Sequence, residues 1–169
     1  MTSSTSNKSF LSNNKFDFTI QRLPNLSFFV QEITLPDFSL NSTEIQSPFT
    51  AIKMPGNQLV FGELNATFIM DEDFQAWFDL YTWMSNLGNS EDFDKRGILT
   101  NVPGKLNSVT SDASLIIKTN SNNPNVIVEF KDIYPISVSS LTFSSIQSQE
   151  FLTTSCSFAY TSYSAKRYI

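Results

Sequence analysis

The sequence predicts a mainly β protein, an antiparallel β-sandwich or barrel with one α-helix packed against it. Three observations point there: several runs alternate apolar and polar residues, one segment switches to a helical period, and the composition favours strands and turns. Phenylalanine occurs 16 times in 169 residues, while Ser, Thr and Asn crowd the remaining positions. That mixture suits strands joined by polar turns, whereas a helical bundle would be richer in Ala, Leu, Glu and Lys. The length suits one domain with a substantial core.

Phe16, Phe18 and Ile20 alternate with Asp17, Thr19 and Gln21, the pattern of a half-buried strand. Leu23-Pro24-Asn25 makes a turn, and residues 26–33 read as a second strand. Residues 35–56, bracketed by Pro36, Pro48 and Pro55, lack a strong period and read as a long loop. Phe38, Leu40, Ile45, Phe49 and Met54 argue against a solvated linker, and loops this long are commonly functional or ordered by a partner. Residues 59–61 form a short strand, followed by a clear one in which Leu64, Ala66, Phe68 and Met70 alternate with Asn65, Thr67 and Ile69.

At Asp71 the period changes. Phe74, Trp77, Phe78, Tyr81, Met84 and Leu87 make one aromatic stripe, predicting a helix over about 71–87. Asp71 is a suitable N-cap, Glu72 and Asp73 complement the helix dipole, and Gly88 suits the stop. Trp77 lies on the stripe and is expected in the core; Trp83 lies off it and is expected at an interface. Residues 89–111 read as a polar loop. Residues 113–119 and 126–132 read as a hairpin, and two further strands follow Tyr134-Pro135, over 138–144 and 150–163. The sum is about eight strands and one helix.

No catalytic motif emerges. Histidine is absent, which removes the commonest general base and metal ligand, and the single Cys156 permits no intrachain disulfide. Cys156 sits among core residues and reads as packing. Helix capping explains Asp71, Glu72 and Asp73 without a metal or a glycosidase pair. A calcium loop at Asp92, Asp94 and Gly97 fails because Arg96 takes a ligand position and Pro103 stands where the bidentate Glu belongs. A phosphate loop at Gly97 to Gly104-Lys105 fails on spacing and on Leu106. We therefore expect no enzyme, cofactor or metal.

The formal net charge of −5, without a basic cluster, disfavours gripping DNA or an anionic membrane. No apolar run approaches the roughly 20 residues of a membrane span, so no membrane anchor is expected. Residues 1–14 lack a signal-peptide stretch and read as a flexible arm, with the protein made and kept in a cytoplasm. The Asn-x-Ser/Thr triplets at Asn7, Asn25, Asn41 and Asn65 then read as by-products of composition.

The order of landmarks adds a resemblance. Lys53-Met-Pro-Gly-Asn-Gln-Leu-Val-Phe-Gly-Glu-Leu-Asn-Ala-Thr-Phe-Ile-Met-Asp-Glu-Asp-Phe, continuing through Trp77 to Trp83-Met84, resembles the tail-tube family of contractile phages. There a Pro-Gly turn leads into an alternating strand and then an Asp-Glu step into an aromatic-rich helix. The run from Val126 through Tyr134-Pro135 to Phe143, the closing Phe158-Ala159-Tyr160 with Tyr163, and Leu35-Pro36 ahead of a long loop are similar to further family landmarks.

The resemblance covers about 16–163 and implies one tail-tube-like domain over 15–169. It implies hexameric rings stacked into a tube inside a sheath, with baseplate and tail-terminator partners and genomic DNA passing through without specific binding. It also implies a virion-tail location after assembly in the host cytoplasm. Leu35, Pro36, Phe38, Phe49, Met54 and Trp83 are the expected subunit-interface residues. Rival readings are a tube-initiating or terminating relative, an Hcp-like tube of an injection or secretion system, and a monomeric β-sandwich binding module.

Overall fold

The computed structural model describes residues 9–46, 49–88, 109–146 and 151–168. Within them the strands are β1 (Phe16–Ile20), β2 (Val30–Thr34), β3 (Phe38–Gln46), β4 (Ala51–Phe61), β5 (Leu64–Ile69), β6 (Ser111–Lys118), β7 (Pro124–Val138), β8 (Thr153–Ala159) and β9 (Ser162–Arg167); one α-helix, α1, spans Gln75–Gly88. All strand pairs are antiparallel. One sheet runs β1-β6-β7-β9, and a second runs β7-β8-β5-β2.

β7 belongs to both sheets. Its first half pairs with β6 and β9, its second half with β8. The change of sheet occurs beside Asp132, whose φ of 55° places it in the left-handed region that Asp tolerates better than most residues. The bend is tied down locally: the Asp132 amide donates to Asp112 Oδ1 at 3.2 Å, and Thr110 Oγ1 donates to Asp132 Oδ1 at 3.1 Å. Between the sheets lie Phe18, Ile20, Leu115, Val128 and Phe130 from one side and Leu64, Ala66, Phe68, Cys156 and Phe158 from the other. This is the alternation read from the sequence, now paired across a common core.

Several elements differ from expectation for identifiable reasons. The predicted strand at 26–33 begins as a 3-10 segment, Pro24–Phe29, because Pro24 pre-sets the first turn and Leu26 tucks into the core. Only Val30–Thr34 is extended. β7 continues through Tyr134-Pro135, since Pro135 lies where the strand has β8 on one side and a free edge on the other. Residues 139–146 form no strand, and the predicted terminal strand breaks near Tyr160 into β8 and β9, which join different sheets. The expected loop at 89–111 falls largely outside the described residues. Of the expected arm, residues 1–8 lie outside them too. Phe10 and Ser12 are held by Asn120, whose Nδ2 donates to the Phe10 carbonyl at 2.8 Å and whose Oδ1 accepts from the Ser12 amide at 3.2 Å.

The helix begins one turn later than predicted, yet Asp71 still caps it: Oδ2 accepts from the Gln75 amide at 3.0 Å. Its buried stripe is Ala76, Leu80 and Trp83, with Leu87 partly buried, and not the aromatic one. Ala76 lets the helix approach closely, so the larger aromatics are turned outward. Trp77 and Tyr81 stack there at 5.2 Å with their planes 8° apart.

Candidate assembly surface

The described residues of 35–56 are no loop. Most of them, with 57–61, build a β3–β4 ribbon that pairs with neither sheet. Sequence reading missed it because Pro55 interrupts the pattern and a bulge breaks the register between Leu40 and Ser42, placing Asn41 opposite 56–58. Gly56 is required there, since a Cβ would run into the Asn41 carbonyl.

The ribbon is fixed at its base. The Gly62 amide donates to the Asp37 carbonyl at 2.9 Å, and the Tyr160 hydroxyl donates to the Gly62 carbonyl at 2.8 Å. Phe61 meets Tyr163 edge-on at 5.0 Å, and both tyrosines pack on buried Phe130. The root is therefore core-like while the rest of the ribbon is bare.

Two groups near this root and in β8 carry a pH signature. Burial first, then Tyr163 and Asp37, push the Tyr160 phenol from 10.0 up to about 12. Burial pushes the Cys156 thiol from 9.0 up to about 12. Both keep their protons in the fold above the pH at which the unfolded chain releases them. Their stabilisation is therefore full below about pH 9 and lost as pH rises through 12. The melting temperature is expected to be level to about pH 9 and to fall beyond it. In Tyr160→Phe the fall above pH 10 should be shallower, on a stability lowered by about 1 kcal/mol for the lost hydrogen bond; an unchanged slope removes the phenol from the explanation.

The predicted interface residues separate into three groups. Phe49, Phe38, Met54 and Leu35 are exposed, Phe49 at 96% and Phe38 at 66%. Pro36 is buried under the root of the ribbon. Trp83 is a correction: at 2% exposure it lies in the core, its Nε1 donating to the Val109 carbonyl at 3.0 Å, and it has no surface to offer a neighbour. Ile52, Leu59 and Val60 were not singled out, though all three are exposed on the same ribbon.

The second sheet offers a different surface. Its outward rows carry Glu32, Thr67 and Ser155, and Thr34, Asn65, Ser157 and Ser137. Thr67 and Ser155 hydroxyls lie 3.0 Å apart, and Ser157 Oγ donates to Asn65 Oδ1 at 2.6 Å. No Lys or Arg occurs in β2, β5, β8 or the second half of β7. The outward face of the first sheet, by contrast, holds Lys118, Lys131 and Lys166, with Lys118 paired to Asp17 and Lys166 to Glu129 at 2.8 Å. Each end of the second sheet, at β2 and at the second half of β7, is an unpaired edge among the described strands.

A third surface lies beside α1, where Phe74, Trp77, Phe78, Val138 and Phe143 line an open apolar cleft of about 450 Å³.

A fold with unpaired edges and a bare apolar ribbon belongs to a structural subunit built to associate. A family model described as phage tail tube protein matches residues 2–166, and the chain belongs to that family. Its role is thus that of a tube-type structural protein of phage-like tails. Among solved structures the fold is similar to the tube-terminating cap of the anti-feeding prophage (TM-score 0.68, 14% identity, covering 98% of this chain and 96% of that one). It is also similar to a chain of the sheath–tube complex of PVC, an extracellular contractile injection system, in its extended state (0.59, 14%, 99% and 100%). A third likeness is to Hcp1 from Salmonella typhimurium (0.50, 9%, 90% and 85%). At these identities the likeness is one of fold. No curated protein sequence matches the chain.

Proposed function

We propose that this protein builds the tube of a contractile phage tail, as hexameric rings stacked around a channel that conducts genomic DNA. The observation that carries the reading is the bare apolar ribbon on a member of the tail-tube family. A monomer gains nothing by exposing Phe38, Ile45, Phe49 and Ile52 together, whereas copies that cover them gain roughly 25 cal/mol for each Å² removed from water. In the ring, the β2 edge of one copy pairs with the β7 edge of the next, so the second sheets close into one barrel and lose their open edges. The outward face of that sheet then becomes the channel wall. It has hydroxyls, amides, the Glu32 carboxylate and no cation, so it makes no ion pair with DNA phosphate as it passes. A sheath encloses the tube, and baseplate and terminator proteins meet its ends; a sheath–tube complex and a terminating cap share this fold. The assembly takes place in the host cytoplasm.

Negative-stain electron microscopy of the purified protein at high concentration tests the reading, with hollow rods or rings expected. Phe49→Asp should abolish the rods while leaving the circular dichroism spectrum unchanged, because its ring is solvent-exposed in the single chain. A stable monomer in the parent protein refutes the tube. Copies per particle then place the chain: many stacked rings make the main tube, one ring an initiator or terminator.

A further inference from the structure

The β3–β4 ribbon leaves the body through two crossings, 35–37 from β2 and 62–63 into β5, and no described strand of either sheet pairs with it. A hairpin held by two covalent crossings alone swings as one piece. Pro36 stiffens the first crossing, because its ring fixes φ and the residue is buried. The second crossing holds Gly62, whose amide closes the foot of the ribbon on the Asp37 carbonyl. That bond ties the crossings to each other and leaves the ribbon's angle to the body open. The angle is set from outside: Tyr160, between β8 and β9, donates its hydroxyl to the Gly62 carbonyl at 2.8 Å.

We propose that Tyr160 is a positioning residue, a pin that fixes the direction of the ribbon in the single chain, with Gly62 and Asp37 as its socket. The pin belongs to the free chain, and its bearing on assembly rests on the tube reading. The socket admits no side chain at position 62, where a Cβ would run into the Asp37 carboxylate. Glycine therefore lets the two crossings close up and leaves the Gly62 carbonyl to Tyr160. Phe61 supplies a second point of attachment, edge-on to Tyr163 at 5.0 Å, and both tyrosines rest on buried Phe130. Two separated points resist a twist that one hydrogen bond would allow. Burial, then Tyr163 and Asp37, push the phenol up to about 12, so the hydroxyl stays a donor through neutral and mildly alkaline pH.

A swinging ribbon must be ordered anew each time a copy adds, and that ordering subtracts from the free energy of association. One hydrogen bond shifts a population about fivefold. The lowest concentration that supports tubes should rise by about that factor in Tyr160→Phe.

Distances between two spin labels test the pin in the non-assembling Phe49→Asp background. Cysteines are introduced by Gln46→Cys on the distal ribbon and Ser121→Cys on the exposed β6–β7 turn, while buried Cys156 stays unlabelled. With Tyr160 present, one narrow distance distribution is expected. Tyr160→Phe should broaden it, and so should Gly62→Ala. Adding Asp37→Ala to Gly62→Ala should narrow it again, because the carboxylate that the new methyl meets is gone. Melting curves run beside the distances, since a merely structural role would lower stability and leave the distribution unchanged. An unchanged distribution in Tyr160→Phe overturns the pin, whether or not Gly62→Ala folds. A broadened distribution with an unaltered concentration for tube growth overturns its bearing on assembly. A parent chain that forms neither rings nor tubes overturns the tube reading, and the distances still judge the pin.

Discussion

Trp83→Ala is expected to lose about 3–5 kcal/mol of unfolding free energy, the usual cost of emptying a buried aromatic site. For a chain of this size that is a fall of roughly 6–20 °C in melting temperature. The indole packs against the core, its Nε1 donates to the Val109 carbonyl, and the Arg22 guanidinium lies 5.3 Å from the ring centre. Tyr81→Ala is the informative partner. Tyr81 stands on the stripe that the aromatic spacing assigns to the core, but its side chain is exposed. Its removal should cost under about 0.5 kcal/mol plus the loss of stacking on Trp77. The order of the two effects, read by denaturant titration in the non-assembling Phe49→Asp background, fixes the rotation of α1. A larger loss at Tyr81 would mean the helix buries its aromatic face and Trp83 belongs to an interface after all.

That rotation illustrates where the sequence is legible and where it is not. β1, β5 and the β6–β7 hairpin follow from strict alternation, because one face of each meets the core and the other meets water. The helix is visible from its period, but two stripes share that period, and the shorter one of Ala76, Leu80 and Trp83 is overshadowed by the run of aromatics beside it. Which stripe is buried depends on how closely the helix can approach β7, a property of packing. The course of β7 was hidden for another reason: Pro135 reads as a break unless one strand edge is known to be free. The ribbon was hidden because neither of its faces is continuously apolar, so no single period describes it. Its exposed apolar residues are nonetheless in view, since Phe38, Phe49 and Met54 stand out as apolar side chains in a segment without a core to join. Trp83 was misassigned by the same helix rotation, so that error and the aromatic stripe are one mistake.

On the proposed DNA-conducting channel, Ser155→Lys is expected to turn release into retention. On the proposed wall every ring gains six cations, and stacked rings repeat them along the channel. A protein that contacts about 6–10 phosphates loses roughly 10³–10⁵ in affinity between 50 and 200 mM salt, so binding should be strong at the lower concentration and largely gone at the higher. Ser155 is exposed and shares one hydroxyl contact, with Thr67, so the fold should bear the change. Short labelled duplexes co-sedimented with assembled tubes measure the retention, and nuclease tells where it occurs. DNA held by Ser155→Lys tubes should resist digestion. DNA held by Ser164→Lys tubes should be cut, because Ser164 stands opposite Glu129 on the outward face of the first sheet. Should the two variants exchange behaviours, the first sheet lines the channel. In that case Lys118, Lys131 and Lys166 are the groups that DNA slides past, and release must come from their pairing with Asp17 and Glu129, not from the lack of cations.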